Sequence, residues 1–256
     1  MTPSWGFVQL LYAAVIAGEA AVLLKFWRHR LAAIYPFFTL FISFQFLRSL
    51  TLIQISPRSE LFGWIWIPTE ILTWVLCYLV VFEIYSKVLD DYPGIRRATR
   101  LVLSVALGLC LSLAAATLWV DIAHGVEKFP ILGAVNVVRR WAASTLTLFL
   151  LLMLGYLAWY PAPLKRNLIV HAVLNAFYCI AISVGVFYRN ILGPDLARTL
   201  SVALGAVTVL VLAGWAALMT RGGEERMSSG AKLWSSRDQR RVLAQLAAIN
   251  RALARQ

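Results

Sequence analysis

The chain is 256 residues long, 61% hydrophobic and only 14% charged, with a mean hydropathy of +0.75. A soluble domain of that length could not hide so much apolar surface from water, so the composition excludes one and points to an all-α, polytopic membrane protein. The net charge of +12 does not mark a nucleic-acid binder, because the basic residues track one side of the apolar runs.

Seven runs are long enough to cross about 30 Å of hydrocarbon at 1.5 Å per residue. They are Trp5 to Trp27, Ile34 to Ile55, Leu61 to Tyr85, Leu101 to Val120, Ile131 to Trp159, Leu168 to Tyr188 and Thr199 to Met219. Met1 to Trp5 lacks a basic n-region, and no small-residue cleavage site closes the first run, so it is expected to stay as a span. That span carries Glu19 in its inner half. The second carries Arg48, and the third carries Pro68, Glu70 and Trp74, with Pro68 expected to kink the helix and open space beside it. Near the inner end of the third span, Glu83 and Lys87 have i, i+4 spacing and read as a surface ion pair. Asp90 to Gly94 then stops the helix, with Pro93 and Gly94 supplying the break.

The fourth span places Ser104, Gly108, Ser112 and Ala116 on one helical face. Small residues at that interval permit close helix crossing, either within the bundle or as the seam of a homo-oligomer. The fifth span brings Asn136, Arg139 and Arg140, and the sixth His171, Asn175 and Tyr178. Cys77, Cys110 and Cys179 all fall inside apolar runs and read as core packing.

Residues 1–220 therefore form the transmembrane domain, 221–235 a flexible polar connector, and 236–256 a final amphipathic helix. In that helix Ser236 and Gln239 have capping-box spacing. Val242, Leu246, Ile249 and Leu253 repeat at helical intervals, opposite Arg237, Arg240, Arg241, Arg251 and Arg255. Such a helix lies on anionic lipid or docks a cytoplasmic protein partner.

Loop charge orients the bundle. Seventeen Lys and Arg fall on the side of the first, third and fifth loops and the tail, against four on the other side. Positive residues stay inside, so the N-terminus is expected outside and the C-terminus in the cytoplasm, as in a bacterial inner (plasma) membrane.

Residues on antiparallel helices meet only when they share a level. Arg48, Glu70, Arg139 and Arg140 all fall about seven to nine residues from the outer end of their spans, so they share one depth. With Asn136 above and Trp74 below, they form a candidate site for a small anionic or lipidic ligand. The alternative is an ion-pair network that only fixes helix packing. Deeper in, Glu19, His171, Asn175 and Tyr178 form a second polar cluster, read either as a proton relay or as a neutral carboxyl tying two helices together.

The layout resembles that of rhodopsins and the large receptor superfamily in layout alone. All five lysines fall in loops, tail or helix ends, so no retinal Schiff base is expected, and the receptors' Asp-Arg-Tyr and Asn-Pro-x-x-Tyr motifs are absent. A transmembrane haem normally needs paired histidines, and only His171 lies within a span. His29 and His124 fall at opposite faces, which disfavours a metal centre. No phosphate loop or nucleophile elbow is present, so no cofactor and no reaction are assigned. A receptor or sensor is the leading expectation, with an accessory subunit or a transporter or channel component as alternatives. The inverted repeat and paired broken helices of many carriers are not evident in the sequence.

Overall fold

The computed structural model describes residues 5–56, 59–89, 105, 108, 112, 130–159, 165–192, 194–224, 243–245 and 247. Six long helices make up this body: α1 Trp5–Arg28, α2 Pro36–Ile53, α3 Glu60–Leu89, α4 Pro130–Trp159, α5 Arg166–Leu192 and α6 Pro194–Leu218. All six are long and apolar enough to cross a membrane, and no strand occurs among the described residues, so the chain is a helical membrane protein. Helices α1 to α3 cover the first three predicted spans, and α4, α5 and α6 cover the fifth, sixth and seventh. The predicted fourth span and terminal helix lie largely outside the described residues. Gly108 and Ser112 are helical and exposed, and among the described residues no side chain stands within 4 Å of the position a Gly108 Cβ would take.

The helices close into a ring in chain order, with α6 packed against α1 and with α3 also reaching α5 across the middle. Contacts along the pairs give their directions. Helices α1 and α2 meet at Glu19 with Ser49 and at Phe26 with Phe38, so they are antiparallel. Helices α3 and α4 meet at Glu70 with Arg139 and, further along both, at Tyr85 with Phe149, so they are parallel. Helices α1 and α6 are parallel too, since Leu11 lies against Gly205, Gly18 against Leu212 and Lys25 against Ala216.

Outward faces carry Leu, Ile, Val and Phe at the exposure expected of groups meant for lipid. Trp27 and Trp64, each 78% exposed, stand near the ends of α1 and α3, where amphipathic rings suit the interface. Aromatic rings gather in the interior toward the basic end of the ring. There His171 packs edge to face with Tyr35 and Phe38, and Phe38 with Trp215, while Phe26 stands tilted against Tyr35 and Phe38; the rings of Phe38 and His171 are 4.4 Å apart.

Three long-range contacts lock that same end, and the first two satisfy backbone groups that a helix terminus leaves orphaned. Lys25 Nζ donates to the carbonyls of Ala216 and Ala217 in the last turn of α6. Arg30, in the left-handed conformation with φ 55°, ends the α1 turn, and Pro36 then opens α2 at a position where its missing N–H is harmless. Tyr35 supplies no side-chain cap to α2. Glu83 does so from α3, accepting from Phe37 N at 3.2 Å and Phe38 N at 3.0 Å. The surface pairing expected for Glu83 is therefore corrected: its side chain is buried, 6% exposed, and serves as a cap. Lys87 instead stands over the Tyr35 ring, 5.2 Å from its centroid.

The third contact involves the segment after α6. Arg221–Glu224, the first residues of the predicted connector, form a 3-10 turn with Gly223 buried. Glu224 accepts from Tyr35 Oη at 3.0 Å and Asn167 Nδ2 at 2.6 Å, and pairs with Lys165 at 3.5 Å. Asn167 also donates to Thr220 O and accepts from Thr220 N. Burial, reinforced by the Glu224 carboxylate, holds the Tyr35 phenol above its ordinary pKa range.

Candidate functional site

The candidate site lies toward the other end of the ring and is built on one face of α3. Thr69, Glu70, Thr73 and Trp74 recur at helical spacing, so their side chains share that face. Thr69 and Thr73 each turn a hydroxyl back onto their own helix, Thr69 to Ile65 O at 2.7 Å and Thr73 to Thr69 O at 2.8 Å. The helix runs unbroken through Pro68.

Arg48 of α2 reaches this face with all three of its donor nitrogens engaged. Its Nη2 meets Glu70 Oε2 at 2.5 Å, its Nη1 donates to Thr73 Oγ1 at 3.1 Å, and its Nε donates to Thr69 Oγ1 at 3.2 Å. Gln45, one turn away on α2, places Oε1 3.2 Å from Thr73 Oγ1. A guanidinium held by a carboxylate and two hydroxyls in fork geometry is fixed in place.

Arg139 of α4 approaches the other carboxylate oxygen, with Nε 3.3 Å from Glu70 Oε1, an oxygen that also accepts from Trp74 Nε1 at 3.2 Å. The Arg139 contact is of a different quality. Among the described residues its Nε makes no aligned hydrogen bond, and its side chain is 22% exposed against 12% for Arg48. Two guanidiniums thus share one carboxylate, one held tightly and one loosely. Arg140, half-buried, is engaged in a contact of its own. Asn136 lies one turn earlier on α4, and its side chain falls outside the described residues.

The residues expected in the inner cluster do not form one group. His171 and Asn175 stand one turn apart on α5, with Asn175 Nδ2 3.2 Å from His171 Nδ1 and also donating to His171 O. His171 Nε2 is buried without a partner among the described residues, inside the aromatic packing of Tyr35, Phe38 and Trp215. Glu19 instead accepts from Ser49 Oγ at 3.3 Å and feels the charge of Arg48, so it extends the outer group toward α1. Tyr178 likewise lies within electrostatic range of Glu70 and Arg139. Cys77 and Cys179 are buried free thiols that contact each other between α3 and α5.

Sequence reasoning omitted Gln45, Ser49, Thr69 and Thr73 from the site. The signal was available, since each is within one turn of Arg48 or Glu70, and neutral polar groups obey the same depth rule as charges. Compared with known protein families, curated proteins and solved structures, the chain matches none of them.

Proposed function

We propose that the protein is a receptor or sensor of seven membrane spans that binds a small oxyanion, free or as a lipid headgroup, at Arg139 in the half of the bundle away from the basic end. The looseness of Arg139 is the observation that carries this reading. A guanidinium beside a carboxylate it does not bond squarely, with part of its surface open, retains donors that match a phosphate or carboxylate. Arg48 maintains the positive field and holds Glu70 in register, Trp74 fixes the other carboxylate oxygen, and Arg140 flanks the approach on α4.

Seven spans and a cytoplasmic basic end belong to the same proposal. Because α3 and α4 are parallel, the chain between Leu89 and Pro130 has to return from one end of the bundle to the other. The apolar run from Leu101 to Val120 is long enough to make that crossing.

Thermal unfolding in detergent, with inorganic phosphate in one arm and short-chain phosphatidic acid in the other, tests the site. A ligand at one hundred times its Kd stabilises by about 2.7 kcal/mol. That gain is expected to vanish in Arg139→Gln. Stabilisation that persists after Arg48, Arg139 and Arg140 are all changed to Gln, or its absence with both probes, overturns the reading. A response to phosphatidic acid alone identifies the source as lipid.

A further inference from the structure

Three of the six helix bounds repeat closely: α1 ends at Arg28 and α4 at Trp159, α2 begins at Pro36 and α5 at Arg166, and α3 ends at Leu89 and α6 at Leu218, displacements of 129 to 131 residues, while the other three are displaced by 125, 134 and 139 residues. Buried positions follow the same displacement on the middle helices, where Phe38, Phe41 and Ile42 of α2 correspond to Leu168, His171 and Ala172 of α5. Tyr85 of α3 and Trp215 of α6 are a buried aromatic pair in the same register. Gln45 and Asn175 are its polar pair.

Directions agree as well. Within α1 to α3 and within α4 to α6, each helix runs antiparallel to the next, as the contacts of Leu174 with Gly214 and Gly185 with Leu204 show for α5 and α6. Between the triplets both seams are parallel, α3 against α4 and α6 against α1. A twofold axis along the bundle carries one seam into the other and preserves direction. An inverted repeat would reverse it.

We propose that the protein consists of two triple-helix units, α1–α3 and α4–α6, related by a pseudo-twofold axis along the bundle, and that Glu70 and Arg139 form the latch across one seam. The two seams are built differently. At α1 and α6, Gly18 and Gly205 admit Leu212 and Leu11 into close apolar contact, and Lys25 donates to the last-turn carbonyls of Ala216 and Ala217 at the far end. At α3 and α4 an ion pair joins Glu70 of one unit to Arg139 of the other. Arg48 does not bridge units, since Thr69, Glu70 and Thr73 all belong with it. An oxyanion on Arg139 would compete with Glu70 for the same cation, so its binding would release the seam while leaving each unit intact. That consequence rests on the binding reading above, whereas the repeat and the latch do not.

Spin-label distances in the full chain, with Cys77, Cys110 and Cys179 changed to alanine, test the proposal. Labels at Trp64 and Val138 report the α3–α4 seam, labels at Leu10 and Leu210 the α1–α6 seam, and labels at Leu47 and Trp64 one unit alone; all five positions are exposed. Arg139→Gln cuts the latch and leaves the Arg48–Glu70 pair inside the first unit in place, whereas Glu70→Gln cuts it from the other side and also takes the carboxylate from Arg48. Both are expected to shift the two seam distributions together, and in Arg139→Gln the within-unit distribution stays fixed. Unchanged seams in both variants, or a within-unit change in Arg139→Gln as large as the seam change, overturn it. Phosphate binding with still seams sinks the latch and spares the binding reading. Seams that move in Glu70→Gln, with no oxyanion bound to the parent protein, do the reverse.

Discussion

Replacing Glu83 with alanine strips both acceptors from the start of α2. Were Glu83 a solvated partner of Lys87, its removal would change stability by less than about 0.5 kcal/mol. It is instead buried, and its two oxygens meet the N–H groups of Phe37 and Phe38. A hydrogen bond to a charged group contributes roughly 1.5–3 kcal/mol. Loss of an ordinary helix cap, where water can take over, costs about 0.5–2 kcal/mol. Phe37 N is the more accessible of the two donors and Phe38 N the buried one, so the full penalty falls on one bond and part of it on the other. A loss of about 2–3 kcal/mol follows. At about 2–4 °C per kcal/mol for a chain of this length, Tm falls by roughly 5–10 °C. Glu83→Gln, which keeps one acceptor, should fall between Glu83→Ala and the parent. Lys87→Ala loses a cation–π contact of about 0.5–1 kcal/mol and is the control. Thermal unfolding followed by fluorescence-detected size exclusion reads all three. Equal, small shifts for Glu83→Ala and Lys87→Ala would refute the capping argument.

Tyr35→Phe removes the donor to Glu224 and should lower stability by about 1–2 kcal/mol, with coupling to Glu224→Gln in a double-mutant cycle. Because the folded Tyr35 phenol titrates above its unfolded value, its contribution is whole below the unfolded pKa and fades as pH rises past it. The gap between parent and Tyr35→Phe should therefore narrow above about pH 10, and a widening gap contradicts the assignment. An alanine Cβ at Gly223 would lie 2.1 Å from Asn167 Oδ1, on a side chain held by two bonds to Thr220, so Gly223→Ala should cost about 1–3 kcal/mol. Gly205→Ala meets only the flexible tip of Leu11, at 2.5 Å, and should cost less; the opposite order would show that Asn167 is free to retreat.

The helices were legible because a bilayer span needs an uninterrupted apolar run, and each described helix overlaps the run that announces it. Their ends were less so. Helix α5 continues to Leu192 and α3 to Leu89, past the hydrophobic stretches, because backbone hydrogen bonding does not stop where hydropathy falls. The level shared by Arg48, Glu70 and Arg139 could be counted along the spans. The partners of Glu19 could not, because helix tilt and rotation decide whether Ser49 or Asn175 stands opposite, and a residue count carries neither. Glu83 was misjudged and Glu224 missed for a related reason: apart from Lys165, their partners are backbone N–H groups and neutral side chains distant in sequence, which no charge pattern reveals. The repeat escaped notice because its two halves share spacing and burial while corresponding residues, such as Phe41 and His171, differ in kind.

Glu224 also fixes where the membrane body ends. By hydropathy the last helix closes near Met219, and a deletion designed on hydropathy to remove only the polar tail is cut there. Such a cut would leave Tyr35 Oη, Asn167 Nδ2 and Lys165 Nζ without their shared acceptor, and its phenotype would report damage to the bundle instead of loss of the tail. Truncations and fusions that begin after Glu224 spare that anchor, and only those can assign a role to the residues that follow.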